Sequence, residues 1–230
     1  MPLNISVVIP CLDEERTLGI CIDKIRVFFR EHAYQGEIIV VDNGSKDQSV
    51  QVAKERLVTV LHESQQGYGA ACRRGLQAAR GDIIVLADGD DTYDFLELEQ
   101  FIEPLKNGSC DLVSGTRLKG KIKPGAMPWL HRWLGNPFLT WIFNMLYGGH
   151  VSDLLSGYKA LSREGLNRLT LRQSGMKFTA ELMLTALRTG LRMRETPITY
   201  SLRSPWTRTK LRSFRDGWGY FIFLLQARST

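Results

Sequence analysis

The chain is poor in the residues that several familiar chemistries require. Its four cysteines, Cys11, Cys21, Cys72 and Cys110, show no CxxC spacing and have no histidine partners nearby. They read as buried, reduced thiols, which argues for a cytosolic protein and against a disulfide scaffold or a thiolate metal site. Histidine is equally scarce, with only His32, His62, His131 and His150. No apolar run approaches the roughly 20 residues that a bilayer crossing takes. No secretory leader precedes the first strand, and no repeat or low-complexity tract is present. Residues 116–230 contain only 5 Asp/Glu, and residues 1–115 contain no tryptophan.

What is present is as asymmetric as what is missing. Residues 1–115 carry 11 Lys/Arg against 19 Asp/Glu, and residues 116–230 carry 19 Lys/Arg against 5 Asp/Glu. The net charge of +6 is the remainder of these two opposed halves. The basic half also holds all five tryptophans, Trp129, Trp133, Trp141, Trp206 and Trp218. Basic residues interleaved with indoles suit a membrane interface. They also suit stacking on nucleobases, or a plain core with a solvated basic face.

The first 115 residues alternate strand and helix. Strands are expected at Ile5–Pro10, Glu37–Val41, Val58–Leu61, Ile83–Ala87 and Asp111–Ser114. Helices are expected at Leu18–Phe29, Ala70–Ala79 and Leu96–Leu105. This order predicts an α/β fold with a mostly parallel sheet covered by helices on both faces. Beyond Gly115 the pattern breaks. Lys119–Pro128 reads as a basic loop, and Trp129–Tyr147 as an apolar helical stretch split at Gly135-Asn136-Pro137. An antiparallel strand is expected within Ser156–Ser162. Phe178–Thr189 reads as a helix, Arg192–Tyr200 as extended, and Leu211–Gln226 as an amphipathic helix.

The most informative stretch is Ile83-Ile84-Val85-Leu86-Ala87-Asp88-Gly89-Asp90-Asp91. A buried strand explains the apolar run, but clustered carboxylates repel one another and are costly to desolvate. A divalent cation removes that objection. Asp88 and Asp90 alternate along extended chain and face one way, and hard oxygen ligands suit Mg²⁺ or Mn²⁺. The other reading is an acidic turn that caps the helix behind it. Four further features share the strand-end or helix-start position: Val7 to Glu15, Val40 to Asp47, Gly67 to Gly75, and Ser114-Gly115-Thr116-Arg117. In an open α/β sheet such positions converge on one crevice. Gly67-Tyr68-Gly69 is not a dinucleotide fingerprint, because Cys72 stands where the third glycine belongs. Tight helix packing explains those small residues.

This set resembles the family 2 glycosyltransferases of the GT-A fold. Ser152 to Tyr158 and Lys210 to Gly217 make it most similar to the branch that builds dolichyl- and polyprenyl-phosphate sugars. The resemblance implies one domain over 1–230: a nucleotide-sugar half at 1–115, an acceptor half at 116–210, and an interface helix at 211–226. It implies that Pro10, Asp13 and Glu14 line the nucleoside pocket and that Asp42 accepts from the base. Asp88 would contact ribose or metal, and Asp90 the metal. Arg117, Arg203 and Lys210 would neutralise phosphates, with Asp90 and Arg117 carrying catalysis. Arg132, Ser152 and Asp153 would face the acceptor, although Asp153 reads equally well as a structural cap. Glu15 reads as a first-turn helix acid.

The implied reaction is inverting transfer of a hexose from a UDP- or GDP-sugar to a polyprenyl phosphate, by a protein peripheral to the cytoplasmic membrane face. A phosphate nucleophile needs little help from a base, which fits the absence of histidine from the constellation. A saccharide or other lipid acceptor is the alternative, and would call on a carboxylate base such as Glu181. A non-catalytic nucleic-acid-binding protein leaves the acids of the first half unexplained, so no nucleic-acid partner is expected.

Overall fold

A computed structural model describes residues 4–204 and 213–229. β-Branched and leucine-rich runs form strands, and the central ones, β1 and β4, are almost wholly buried. β1 (Asn4–Cys11), β2 (Gln35–Asp42), β3 (Thr59–His62) and β4 (Ile83–Leu86) pair in parallel. β5 (Leu112–Ile122), β6 (Lys159–Ser162) and β7 (Met193–Tyr200) complete a seven-stranded sheet in the order β3-β2-β1-β4-β6-β5-β7. β6 alone runs antiparallel to its neighbours, so the mostly parallel sheet and the antiparallel strand are both as expected.

The helices are α1 (Leu18–Glu31), α2 (Ser49–Glu55), α3 (Tyr68–Ala78), α4 (Glu99–Lys106), α5 (Asn136–Tyr147), α6 (Arg163–Asn167), α7 (Phe178–Arg188) and α8 (Ser213–Gln226). They cover the sheet on two sides. Leu18, Cys21, Ile22, Ile25 and Phe28 of α1 join one core with Phe101 of α4 and Tyr158. Cys72 and Leu76 of α3 join the other with α7 and with Leu139, Ile142 and Phe143 of α5. All four cysteines are buried and unpaired.

Three expectations change. β5 continues to Ile122, so Lys119–Ile122 is strand, not loop. Its outer end pairs with β7 after a register shift between Thr116 and Lys121. Second, Gly135-Asn136-Pro137 does not split the apolar helix. A π-helical turn, His131–Gly135, leads directly into α5, and Pro137 falls in the first turn of α5. Proline is tolerated there because that N–H needs no helical partner. Third, α2 was not expected; it is a short helix that buries only Ser49 and Ala53.

α3 lies close on the sheet because Gly75 has no side chain. A Cβ at Gly75 would come within 2.2 Å of Val8 Cγ1 and 3.0 Å of Val41 Cγ2. The substitution Gly75→Ala should therefore destabilise the protein by about 1–3 kcal/mol through overpacking. Urea unfolding checks this, with a lower midpoint expected at an unchanged slope.

Candidate active site

β1, β2 and β4 end side by side. Cys11 is level with Asp42, and Val8 with Leu86. A cavity of about 650 Å³ opens beyond these strand ends. Its wall includes Pro10 and Glu14 from the β1 loop, Asn43 beyond β2, Tyr68 of α3, and Asp88 to Asp90 beyond β4. Arg203, Arg215 and Asp216 close it from the far side. The structure thus brings Pro10, Glu14, Asp88, Asp90 and Arg203 together, as expected.

The three acids after β4 have three different environments. Asp90 is almost fully buried, and its Oδ1 accepts from the Thr92 N–H at 3.1 Å and the Thr92 hydroxyl at 2.6 Å. Its Oδ2 is paired with the Arg203 guanidinium, which also lies 3.9 Å from Glu14 Oε1. Asp88 has less support. Its Oδ1 is buried and has no hydrogen-bond partner among the described residues. Burial, followed by the neighbouring Asp90 charge, pushes its carboxyl up to about 7. Asp91 adopts a left-handed φ of 58° and pairs with Lys24 of α1 at 2.7 Å. It is neither a ligand-facing acid nor the helix cap, because Asp94 caps the next turn.

The donor set fits a hard divalent cation. Asp88 keeps a buried carboxylate oxygen with no partner among the described residues, and Asp90 Oδ2 already faces a positive charge, the Arg203 guanidinium. Among the described residues no cluster of three His, Cys, Asp or Glu side chains forms a closed metal cage. Two carboxylates with phosphate and water completing the shell is the usual arrangement for Mg²⁺ beside a nucleotide.

Asp13 and Asp42 do not stand on the cavity wall. Asp42 accepts from the N–H groups of Gly44 and Ser45 and lies 3.2 Å from His62 Nδ1. Burial acts the other way, but these hydrogen bonds hold its carboxyl below the ordinary value. Asp13, at a left-handed φ of 52°, accepts from the Lys46 N–H and donates its own N–H to Ser45. Together they lock the β1 and β2 loops. The wall position belongs to Asn43, which the sequence reading missed. Its amide donates to the carbonyls of Glu63 and Gln65, and its Oδ1 accepts from the Gly67 N–H. Glu15 accepts from the Gln48 N–H, away from the wall set.

Gly67 and Gly69 serve packing, as expected. A Cβ at either would come within 2.4 Å of a backbone oxygen of Gln173 or Ser174. Gly67 also needs its φ of 135°, which side chains rarely adopt.

Arg117, expected at the diphosphate, and Ser152 and Asp153, expected at the acceptor, stand together away from the cavity wall. Arg117 does not line the cavity; its Nε and Nη2 donate to Asp153 at 2.7 and 2.8 Å. Asp153 is fully buried, and against the cost of burial the Arg117 guanidinium holds its carboxyl below the usual range. Ser152 hydrogen-bonds Thr116 and donates to Glu195. Ser152 and Asp153 therefore tie the loop before β6 to β5 and β7. Lys159, another residue the sequence reading missed, is buried beside them and donates to Ser114 and the Ser156 carbonyl. Burial pulls its ammonium down to about 8. Arg132 sits apart on the π-helical turn, 5.1 Å from the Trp133 ring. Glu181 accepts from the N–H groups of Arg172 and Gln173, which is a loop-holding role. Lys210 lies outside the described residues. Arg215 lines the cavity beside Asp216.

Because Arg117 is buried, removing its partner strands a charge. Asp153→Ala should cost about 3–5 kcal/mol, whereas replacing both members by apolar residues of similar volume should recover much of that loss. Thermal and urea unfolding of the single and double variants test it. A single variant as stable as the parent would show that the pair is not structural.

The comparisons with known proteins agree with this geometry. The model for glycosyl transferase family 2 matches residues 6–170. The low-salt glycan biosynthesis hexosyltransferase Agl6 of Haloferax volcanii is 37% identical over 222 residues, covering 96% of this chain. The chain spans only 53% of that relative's length. The dolichyl-phosphate hexose transferase of the same organism is 31% identical, covering 93% of this chain and 89% of the relative. Among solved structures, glucosyl-3-phosphoglycerate synthase from Mycobacterium tuberculosis with Mn²⁺ and UDP-glucose superposes with a TM-score of 0.75. It is 26% identical, covering 98% of this chain and 79% of that one. With the matched model spanning most of the sheet and the strand-end carboxylates inside the match, the chain belongs to glycosyl transferase family 2, and its fold is GT-A.

Proposed function

We propose that the protein transfers a hexose from a UDP- or GDP-sugar to a polyprenyl phosphate at the cytoplasmic face of a membrane, with inversion at the anomeric carbon. One observation carries the reading. α8 contributes Arg215 and Asp216 to the carboxylate-lined cavity and, one turn later, exposes Trp218. The same helix therefore belongs both to the nucleotide-sugar site and to an apolar surface. α5 packs beside it in the same core and exposes Phe138, Trp141 and Met145, with Trp129 and Trp133 just ahead. Contiguous exposed apolar faces of this kind mark interaction sites. The likeness to the dolichyl-phosphate hexose transferase of Haloferax volcanii supports a lipid phosphate acceptor.

In this reading Asp88 and Asp90 hold Mg²⁺ or Mn²⁺, which supplies positive charge to the leaving diphosphate. Arg203, beside Asp90, and Arg215 add protein charge to the cavity, with Lys210 a further candidate. Asn43 and Pro10 line the nucleoside end. The acceptor phosphate carries a second pKa of about 6, so near neutrality it attacks as an anion without a general base. That agrees with Glu181 being committed to backbone N–H groups. Catalysis then rests on positioning and charge stabilisation.

A second reading has its own support. The structural neighbour binds phosphoglyceric acid in one of its solved complexes, so a small soluble phosphate acceptor suits the same fold. A panel of UDP- and GDP-sugars, each offered undecaprenyl phosphate, dolichyl phosphate or 3-phosphoglycerate with Mn²⁺, decides between them. Glycolipid product is expected. Product from 3-phosphoglycerate alone would overturn the lipid reading, and product from no pair would overturn transferase activity. Asp90→Asn should lower turnover at least a hundredfold in the same assay while leaving the fold intact, by analogy with losing one charged transition-state contact.

Among the described residues no helix is long and apolar enough to cross a membrane, so any membrane contact in this region is lateral. Flotation with anionic vesicles tests that contact. Binding should weaken with salt and fall several-fold when Trp133 and Trp218 are replaced by serine. Full recovery of the parent protein in the vesicle-free fraction at low salt would remove the membrane from the proposal.

A further inference from the structure

Asp90 is oriented by three groups, whereas Asp88 has none assigned. Next to Asp88 lies another buried oxygen without a partner among the described residues, the Tyr68 hydroxyl. The two meet over Gly157. A Cβ at that glycine would lie 2.9 Å from Asp88 Oδ2, 3.0 Å from Tyr68 Oη and 3.3 Å from Asp88 Oδ1. A phenol offers an O–H donor, and an ionised carboxylate offers only acceptors, so each is what the other lacks. Both groups are fixed at their roots. Asp88 follows the end of β4, and Tyr68 opens α3, where the ring packs edge-on against Phe178 at 6.3 Å. The start of α3 is itself pinned, since the Gly67 N–H donates to Asn43 and the Ala70 N–H to the Ser174 carbonyl.

We propose that Tyr68 is the positioning residue for Asp88. Its hydroxyl donates to the buried oxygen of the carboxylate and so aims the other oxygen into the cavity, at the cation and nucleoside diphosphate. Gly157 is the residue whose missing side chain lets the two oxygens approach. This rests on the proposed function, because it assumes that a divalent cation and a nucleotide occupy the cavity. Outer-shell hydrogen bonds to metal-binding carboxylates commonly alter metal affinity by about 10- to 100-fold.

Tyr68→Phe keeps the ring and its packing on Phe178 and removes only the donor. The measurement is Mn²⁺ binding by electron paramagnetic resonance, in the presence of UDP and, separately, GDP. Tyr68→Phe should weaken Mn²⁺ binding about tenfold with an unchanged melting temperature. In an Asp88→Asn background the same change should have no further effect, because the oxygen it orients no longer carries the charge. Gly157→Ala should weaken Mn²⁺ binding with Tyr68 intact. A Tyr68→Phe protein that binds Mn²⁺ as the parent does would overturn the proposal alone. So would a loss of equal size in the Asp88→Asn background. A parent protein that binds neither nucleotide with Mn²⁺ would overturn the functional reading and this proposal with it.

Discussion

Two carboxylates, Asp90 buried and Asp88 half-buried, stand two residues apart beyond the end of a central strand, and much of the structure answers the cost of placing them there. Burial, and after it the neighbouring Asp90 charge, disfavours ionisation of Asp88 and pushes its carboxyl up. The chain responds with fixed donors. Thr92 holds one oxygen of Asp90, and Arg203 pairs with the other. Lys24 reaches from α1 to take Asp91, which removes a third acid from the cluster. The buried oxygen of Asp88 is left to the Tyr68 hydroxyl beside it, the donor assigned to it above. Under the proposed function, a divalent cation that completes its shell with phosphate would offset the charge left on the two carboxylates.

The same constraint organises the basic half. The sheet continues from β4 into β6 and β5, so the loops behind the acidic cluster carry its counterweight. Arg117, Asp153, Lys159 and Glu195 form a buried polar belt in which each charge has a partner or a hydrogen bond. This belt joins the loop before β6 to β5 and β7. The cation that does reach the acids, Arg203, comes instead from the segment after β7. Positive charge that must stay put is locked away from positive charge that meets the cavity.

The fold was legible because its signals are local. A β-branched run ending in an acid and a glycine marks a strand and the loop beyond it. α2 was not legible, since a seven-residue helix that buries only Ser49 and Ala53 leaves no apolar stripe. The outer half of β5 was hidden for a related reason: its Lys-Gly-Lys pattern reads as loop, and only backbone pairing with β7 makes it strand. Acids that bind a ligand and acids that fold a loop look alike in sequence. Asp13 and Asp42 differ from Asp88 in what their oxygens accept, and part of that depends on residues distant in sequence: Lys46 for Asp13 and His62 for Asp42. Arg117 and Asp153 lie 36 residues apart, so their pairing follows from the order of β5 and β6 in the sheet, which no local pattern encodes.

The placement of α8 bears on why one domain would serve both a soluble donor and an insoluble acceptor. A nucleotide sugar is polar and reaches the carboxylate cavity from water. A polyprenyl phosphate presents only its headgroup above the lipid. An enzyme joining them needs its phosphate-binding wall and its lipid-facing surface on one rigid element, because reacting atoms must meet within about 3–3.5 Å. α8 meets that requirement. Tyr220 and Leu224 are buried in the core, and Tyr220 hydrogen-bonds Thr179 of α7. Asp216 and Arg215 line the cavity, and Trp218 and Leu225 point outward. Loss of the outward residues would then separate two effects that a loop-borne membrane contact would mix: lipid docking would fail while the carboxylate cavity, held by the buried side of the same helix, kept its shape.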